Sequence, residues 1–498
     1  SGYTNKYLSP ESAHYDIVFI DANDSNHVKV KNCVSGKIIS DGTDADVGIQ
    51  AAITDAGTSG GIIYIKRGTY NIDTTLAVNN PLILIGEGRG RTNITMSAND
   101  AIFDYLTNAG KVIIEGMTLT GAYDPPASLP ALGTSTKLNA TCFDISVGTG
   151  HVFRELEINK CMTGWNLTGD RWNLLMENCY LGTAAGLGCG RALLHTDGDA
   201  NNGANFTFFH VWGDNWKPVV EFIEGNTEET TDYAVIEIGR QNAPRLIAVD
   251  LLNVYKDGIW VKRGNVGIFL VVNTAVDNAK RYAVRIEDTA GTPETITHVD
   301  FVNTWLKTLS ITADKPAVRI KGAERLGFRG GITFASDMNM YIEDSDNIAI
   351  DMLHLARITA VDTVQANCDG IVLNNVTQCR ISGQIGAVNA INRGIYEYGA
   401  SSAANVFDPV LSGTMTTRIS KTAATTQALY VDNGAFNMMD TLKLTDGIFA
   451  LYIKPLTDNT GVVGDATYTF ADGRFTNFTI DNTLTVVDVA ATGVYKVD

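Results

Sequence analysis

The sequence predicts an all-β solenoid with parallel stacked coils. Three observations carry the prediction. One phrase recurs from Gly61 to about Asn433: a β-branched strand, a polar turn, a second short strand, a glycine or aspartate turn, and a third strand. Its anchors lie about 22 to 40 residues apart, the spacing of repeat architectures. A single stretch, near the N-terminal end, has a clear helical period instead.

The elements follow in order. Tyr15 to Ile20 and His27 to Lys31 read as strands, with a turn at Val34 to Lys37, so residues 1–40 are expected to form a β-hairpin strap. Next, Ile49, Ala52, Ile53 and Ala56 recur at helical spacing. Thr43 or Asp44 can cap the start, and Gly57, Gly60 and Gly61 stop the helix, placing it near 45–57. A solenoid's first coil has unpaired backbone groups and an open apolar cross-section, and this helix is expected to cover them.

Repeats then line up at 151–167, 205–222, 245–261, 266–286 and 296–320, with later copies starting near Leu326, Ile348, Cys379 and Val406. Roughly eleven coils are expected over 41–433, each stacked about 4.8 Å from the last. The connections Tyr123 to Ala140 and His195 to Asn205 are too polar or proline-rich for ladder strand and are expected to edge a binding groove. From 434 to 498 the pattern alternates in twos around Asp446-Gly447 and Asp472-Gly473, which predicts a small antiparallel β domain closing the far end.

Composition narrows function. The 498 residues carry a net charge of −17, which argues against nucleic acid or an anionic membrane as partner. An acidic polysaccharide would need a local basic patch. The seven cysteines (Cys33, Cys142, Cys161, Cys179, Cys189, Cys368 and Cys379) form no CxxC and no His-paired metal spacing, so they read mostly as small buried hydrophobes. No apolar run is long enough to insert into a membrane. Ser1-Gly2 has the form left by tag cleavage, so a leader or anchoring domain is expected to have preceded it.

Stacking puts residues in columns. Aligning Asn-Trp-Lys, Val-Tyr-Lys and Asn-Ala-Lys sets Lys217, Lys256 and Lys280 above one another, with Asp214, Asn253 and Asp277 beside them, Asn159 before and Asn303 after. An Asn/Asp ladder at a turn satisfies backbone groups. Stacked lysines repel unless neighbouring aspartates or a uronate or sulfate compensate. All six tryptophans, with Tyr255, fall between Trp165 and Trp305. They are either sugar platforms or core, with Trp212 and Trp260 expected to point inward.

Two reactions fit these residues. A hydrolase needs two carboxylates, for which Asp214, Asp257 and Asp277 are candidates, with Glu177 and Asp250 behind. A lyase needs a base and a cation at the enolate, which Lys217, Lys256, Lys280, Arg281, Tyr255 or His210 can supply. Substrate contacts are expected from Trp216, Tyr255, Trp305, Lys217 and Arg281.

The stretch Asp41 to Tyr70 also carries a resemblance. Asp41-Gly42, Asp44 and Asp46, Ile49-Gln50-Ala51-Ala52-Ile53, Gly60-Gly61 and Gly68-Thr69-Tyr70 resemble the opening of right-handed parallel β-helix proteins of the pectate-lyase superfamily. Ala45 separates two aspartates, and Lys66-Arg67 replaces a proline-rich turn. The resemblance implies fold, not reaction. The N-T-D, D-D and G-H-G set of polygalacturonases and the D-P-H-E of alginate epimerases are absent. Arg319-Ile320-Lys321 matches the polygalacturonase R-I-K but ends an ordinary strand, and Arg240 to Arg245 is only distantly similar to the pectate-lyase R-x-P-x-x-R. Asp197, Asp199 and Asn201 are similar to a calcium loop with its glycine misplaced and its glutamate missing, so no metal ligands are expected and calcium is the one cofactor left open. Among β-helix proteins the chain resembles viral tailspikes and depolymerases. That implies an extracellular, secreted or virion-surface protein, a homotrimer, and a polysaccharide partner that it binds and cleaves. The alternative is a non-catalytic virion spike or surface adhesin in which the solenoid is a rigid rod.

Overall fold

Short β-branched runs such as Gly61–Ile65, Leu82–Gly86 and Thr92–Met96 bury every second side chain, which is the period of a strand with one face on a core. In the computed structural model such runs wind through three parallel sheets. The structure describes residues 14–438 apart from 106–109, 125–138, 147–149, 169–172, 183–187, 196–204, 215, 217–231, 240–242, 263–268, 288–295, 310–314, 336–337, 358–367, 422–425 and 433–434.

Sheet A starts with Gly61–Ile65 and Leu82–Gly86, sheet B with Gly68–Ile72 and Thr92–Met96, and sheet C with Leu76–Ala77 and Phe103–Tyr105. Sheet C continues through Thr141–Ile145, Thr163–Leu167, Arg191–His195, Ala234–Ile238, Asp257–Val261, Val284–Glu287, Val318–Lys321, Met338–Glu343 and Asp369–Asn374. It ends with the last parts of Arg380–Tyr398 and Val406–Ser420, so the described residues form thirteen coils where roughly eleven were expected. The shortfall lies in the early coils. Gly61 pairs with Leu82, a coil of 21 residues whose strands are too short for the repeat to stand out.

From the third coil on, the turn from sheet A to sheet B is built on a left-handed residue. Gly116, Glu155, Asn178, His210, Ala248, Asn273, Asn303 and Gly330 occupy it, with φ between +47° and +70°. Glycine and asparagine recur because the left-handed region strains them least. Asn303 donates to Asn273 across one step, 2.7 Å. Inside, aromatic rings stack from coil to coil: Phe103 on Phe143 on Trp165, then Phe301 on Phe328. Six of the seven cysteines are buried and all seven are free thiols, as the composition implied. Burial pushes the Cys179 thiol up to about 12.

At the N-terminal end, β1 (His14–Asp21), β2 (His27–Asn32) and β3 (Ile38–Gly42) form an antiparallel meander, one strand more than a hairpin. β1 also pairs in parallel with Gly61–Ile65, adding a strand to sheet A. Helix α1 (Ala45–Asp55) buries Ala45, Ile49, Ala52 and Ile53 in the same core. Asp44 is its N-cap in backbone conformation but makes no side-chain cap bond. Gln50 meets the free edge of sheet C. Its amide donates to the Ala77 carbonyl at 3.1 Å and accepts from the Ala77 N–H at 2.8 Å, standing in for a missing strand.

At the other end, Gln427–Asp432 pairs antiparallel with Ala435–Met438. The chain divides into two units between Thr441 and Leu442, and the antiparallel domain expected over 434–498 otherwise lies outside the described residues.

Gln50→Ala leaves both Ala77 groups unpaired and is expected to cost about 1–3 kcal/mol of unfolding free energy in urea. Ile49→Asp, which places a carboxylate in the core, is expected to prevent stable folding. Unchanged midpoints for both variants would show that α1 does not secure the first coil.

Candidate functional site

Strand alternation decides which residues can meet a ligand. In Asp257–Val261, Ile259 and Val261 point into the core and Trp260 points out. The register extends that outward position along sheet C into one column: Asp104, Asp144, Asn166, Leu194, Glu237, Trp260, Arg285, Arg319, Tyr341, Val372 and Tyr396. A second column beside it holds Glu287, Lys321, Glu343, Asn374 and Tyr398. The corresponding outward column of sheet A begins Ile62, Ile83, Ile113, Val152, Leu175. In the first coils, then, sheet A is apolar outward where sheet C carries carboxylates.

Near the first coils the column carries two carboxylates in adjacent coils. Burial, then the charges of Asp144 and Asp100, pushes the Asp104 carboxyl up. Asp144 accepts a hydrogen bond from Asn166 Nδ2 at 3.1 Å. The two acids thus sit in unlike environments, one favouring the proton and one supplied with a donor. The connection 121–140 leads into the Asp144 strand, and 196–205 leaves the strand carrying Leu194.

Further along the face becomes cationic and aromatic. Arg281 donates to both carboxylate oxygens of fully buried Asp257, and to Asp232 at 2.9 Å. Arg285 reaches Asp232 at 3.0 Å and Glu287 at 3.1 Å. Burial opposes ionisation of Asp232, but Arg285 and Arg281 prevail and hold its carboxyl down to about 2. The Arg285 guanidinium lies 4.4 Å from the Trp260 ring centre, and Trp260 Nε1 donates to the Glu287 carbonyl. Two coils on, Arg319 donates to Glu343 at 2.6 Å, Lys321 approaches the same oxygen at 3.4 Å, and Asn374 donates to the Tyr341 hydroxyl. The Tyr341 and Tyr398 hydroxyls are 3.1 Å apart.

The residues singled out from sequence do not share one site. Asp257 and Arg281 do meet, but as a buried ion pair on sheet C. Asp277 bridges Lys307 at 3.1 Å on sheet B. Asp214 accepts from Asn253, which accepts in turn from Asn278, so these residues form a turn ladder. His210 sits at the corner between sheets A and B, stacked on Phe209. Lys256 is buried, whereas Lys280 is exposed. The lysine column fails because the register pairs Asp250 with Ala275 and Ile259 with Val284, one residue beyond the assumed alignment. Lys256 therefore lies against Arg281, whose N–H donates to its carbonyl. Lys217 and the Asp197–Asn201 loop lie outside the described residues.

The aromatics also sort differently. Trp216 is fully buried in the core, so it is no sugar platform. Trp212 and Trp260 occupy outward positions, contrary to expectation. Trp305 is 43% exposed and packs on Phe334, on sheet B. Tyr255 is half-buried at the turn, its hydroxyl pushed up by burial and by Asp214. Sequence reading passed over Asp104 and Asp144, although both stand in a shared local pattern, Phe-Asp-Tyr and Phe-Asp-Ile. Arg319-Ile320-Lys321, set aside as an ordinary strand end, puts both its cations on this face.

A depression of about 620 Å³ lies elsewhere, between α1 and Thr74-Thr75. Its polar groups are already engaged: Gln50 with Ala77, Thr54 with the Gln50 carbonyl, Thr74 with Asp46, and Thr75 with the Ala101 carbonyl.

Residues 35–125 match the family model of the pectate lyase-like rhamnogalacturonase A/epimerase group. The match contains the whole Asp41 to Tyr70 stretch, so the pectate-lyase-like resemblance is shown there, and the parallel β-helix it implies is the fold observed. No curated protein sequence matches the chain. Similar solved structures include DFA-IIIase from Arthrobacter chlorophenolicus A6 in complex with GF2, at 11% identity over 73% of this chain and 90% of that one, TM-score 0.47. The A-module of the mannuronan C-5 epimerase AlgE6 from Azotobacter vinelandii matches at 12% identity over 78% and 95%, TM-score 0.35. The catalytic unit of a GH87 alpha-1,3-glucanase from Streptomyces thermodiastaticus strain HF3-3 matches at 12% identity over 77% and 67%, TM-score 0.31.

Asp257→Ala strands two buried guanidinium groups and is expected to cost about 3–5 kcal/mol in urea unfolding. Asp232 is depressed from 3.8 to about 2 in the folded chain, so its contribution is present above pH 4 and lost as pH falls through 2. Asp232→Asn should flatten that part of the acid-unfolding curve. An unaltered curve would mean the guanidinium groups do not hold Asp232.

Proposed function

We propose that this protein binds a polysaccharide along the outer face of sheet C and hydrolyses it, with Asp104 as general acid and Asp144 as the attacking carboxylate. The observation that carries the reading is the Asp104–Asp144 pair: neighbours in one outward column, with the Asp104 carboxyl pushed up by burial and by Asp144, and Asp144 accepting from Asn166. One coil, about 4.8 Å of ladder spacing, separates their backbones. Carboxyl groups of retaining glycosidases lie about 5–5.5 Å apart, and those of inverting enzymes stand farther apart to admit water. The reading takes hydrolysis with retention as the outcome to test. Asp104 protonates the glycosidic oxygen, the departing sugar leaves with that proton, and Asp144 forms a bond to the anomeric carbon that water then breaks.

The rest of the face supports binding. Tyr341, Tyr396 and Tyr398 stand on this face with ring edges and hydroxyls. The lyase route has less support: Lys256 is buried and Arg281 is engaged by two carboxylates. An extracellular, secreted or virion-surface setting belongs to this reading, since that is where polysaccharide is met.

The test is turnover of a panel of acidic and neutral polysaccharides. Wild-type protein is expected to release reducing ends with retained anomeric configuration by NMR, and no ultraviolet-absorbing unsaturated ends. Asp104→Asn and Asp144→Asn should each lower kcat/KM by about 10²- to 10⁴-fold at unchanged Tm. Unsaturated products, or full activity in both variants, would sink the assignment. Binding without turnover on any substrate would favour the adhesin or spike reading.

A further inference from the structure

The N-terminal strap holds a grouping that plays no part in the face just described. His14 and Asp16 alternate on β1 and so share one side of it. His14 Nε2 lies 2.9 Å from Asp16 Oδ2 and 3.1 Å from Asp55 Oδ2, and Asp55 is the last residue of α1. The three ligand atoms lie within 4.8 Å of one another. Asp16 is wholly buried, yet among the described residues neither of its carboxylate oxygens has a hydrogen-bond partner, and nor has His14 Nε2. A buried carboxylate whose Oδ1 has no partner, set beside a second carboxylate, is costly unless a positive charge joins it.

We propose that His14, Asp16 and Asp55 form a binding site for a divalent cation of the zinc type, which ties the first strand to the helix that covers the first coil. One neutral imidazole and two carboxylates supply two negative charges and a mixed nitrogen–oxygen set, which suits zinc better than the all-oxygen cations. Zinc–ligand bonds of about 2.0–2.1 Å place tetrahedral ligands roughly 3.3 Å apart. The two separations from His14 are already close to that, and the two carboxylate atoms lie within 4.8 Å of each other. Water completes the coordination. Asn32 Nδ2 donates to Asp55 Oδ2 at 2.7 Å, an outer bond of the kind that orients a ligating carboxylate. Gly61 faces His14 across the β1 ladder, and a Cβ there would come 3.0 Å from the imidazole. The absence of a side chain gives the ring its room.

A second cluster, Asp24, His27 and Asp41, looks alike but differs in one respect. Lys29 Nζ lies 2.6 Å from Asp24 and 3.5 Å from Asp41, so a covalently attached cation already fills it. It serves as the control.

The experiment uses the full chain stripped with a chelator and titrated with zinc chloride. One equivalent is expected to bind to wild type, raising Tm by at least about 2 °C at a hundred-fold excess over Kd. His14→Gln and Asp16→Asn should each weaken binding at least ten-fold, and His27→Gln should leave it unchanged. Cobalt(II) substituted for zinc should give a visible spectrum that His14→Gln abolishes. Should Asp16→Asn fail to fold, His14→Gln alone decides. No zinc binding by wild type at micromolar concentration would overturn the proposal, because His14 would then act only as a protonated partner of the two acids. Zinc binding that survives His14→Gln would overturn it as well.

Discussion

The fixed pitch of the parallel ladder governs everything else in this molecule. Once Gly61–Ile65 pairs with Leu82–Gly86, each later coil must repeat the same sequence of strands and turns to satisfy its own backbone. Inward positions then become stacks, and the core is a series of like-on-like contacts such as Phe103, Phe143 and Trp165. Outward positions become columns. A column gathers residues from coils dozens of positions apart and sets them one pitch from each other, so a site needs no local motif.

That explains which features could be read from sequence. The Asp41 to Tyr70 stretch works through neighbours in the chain: Ile49 and Ile53 on one helix face, glycines at its end, then a strand. Local periodicity reveals such features directly. The face of sheet C does not arise that way. Its register depends on the length of every intervening turn, and one residue of error moves each side chain to the opposite face. The proposed lysine column failed on such an error, since Lys256 meets Arg281 and not Lys280. Asp257 and Arg281 were chosen for chemistry and do pair, but fully buried, where the pair's role is structural. Trp216 and Trp260 exchanged expected roles for the same reason. The single left-handed corner residue was recognisable in part, through the recurrent asparagines, and it also accounts for His210 as a corner rather than a catalytic base.

The same pitch separates stability from chemistry along one face. Between Asp232 and Glu287 the cations are spent on carboxylates, which locks the strands at their long connections. Between Asp104 and Asn166 the acids face outward with unlike partners. The N-terminal end needs its own closure, since no preceding coil exists. Gln50 supplies hydrogen bonds to Ala77, and β1 supplies a strand to sheet A.

The central claim is that Asp104 and Asp144 share a column and sense each other's charge across one pitch. Carboxyl-carbon NMR titration of Asp104, in wild type and in Asp144→Asn, measures that coupling directly. Asp104 is expected to titrate above the ordinary aspartate range in wild type, and to move down when Asp144 is neutralised. An Asp104 titration that lies in the ordinary range, or that the substitution leaves unmoved, would contradict the shared column and the acid–base assignment built on it.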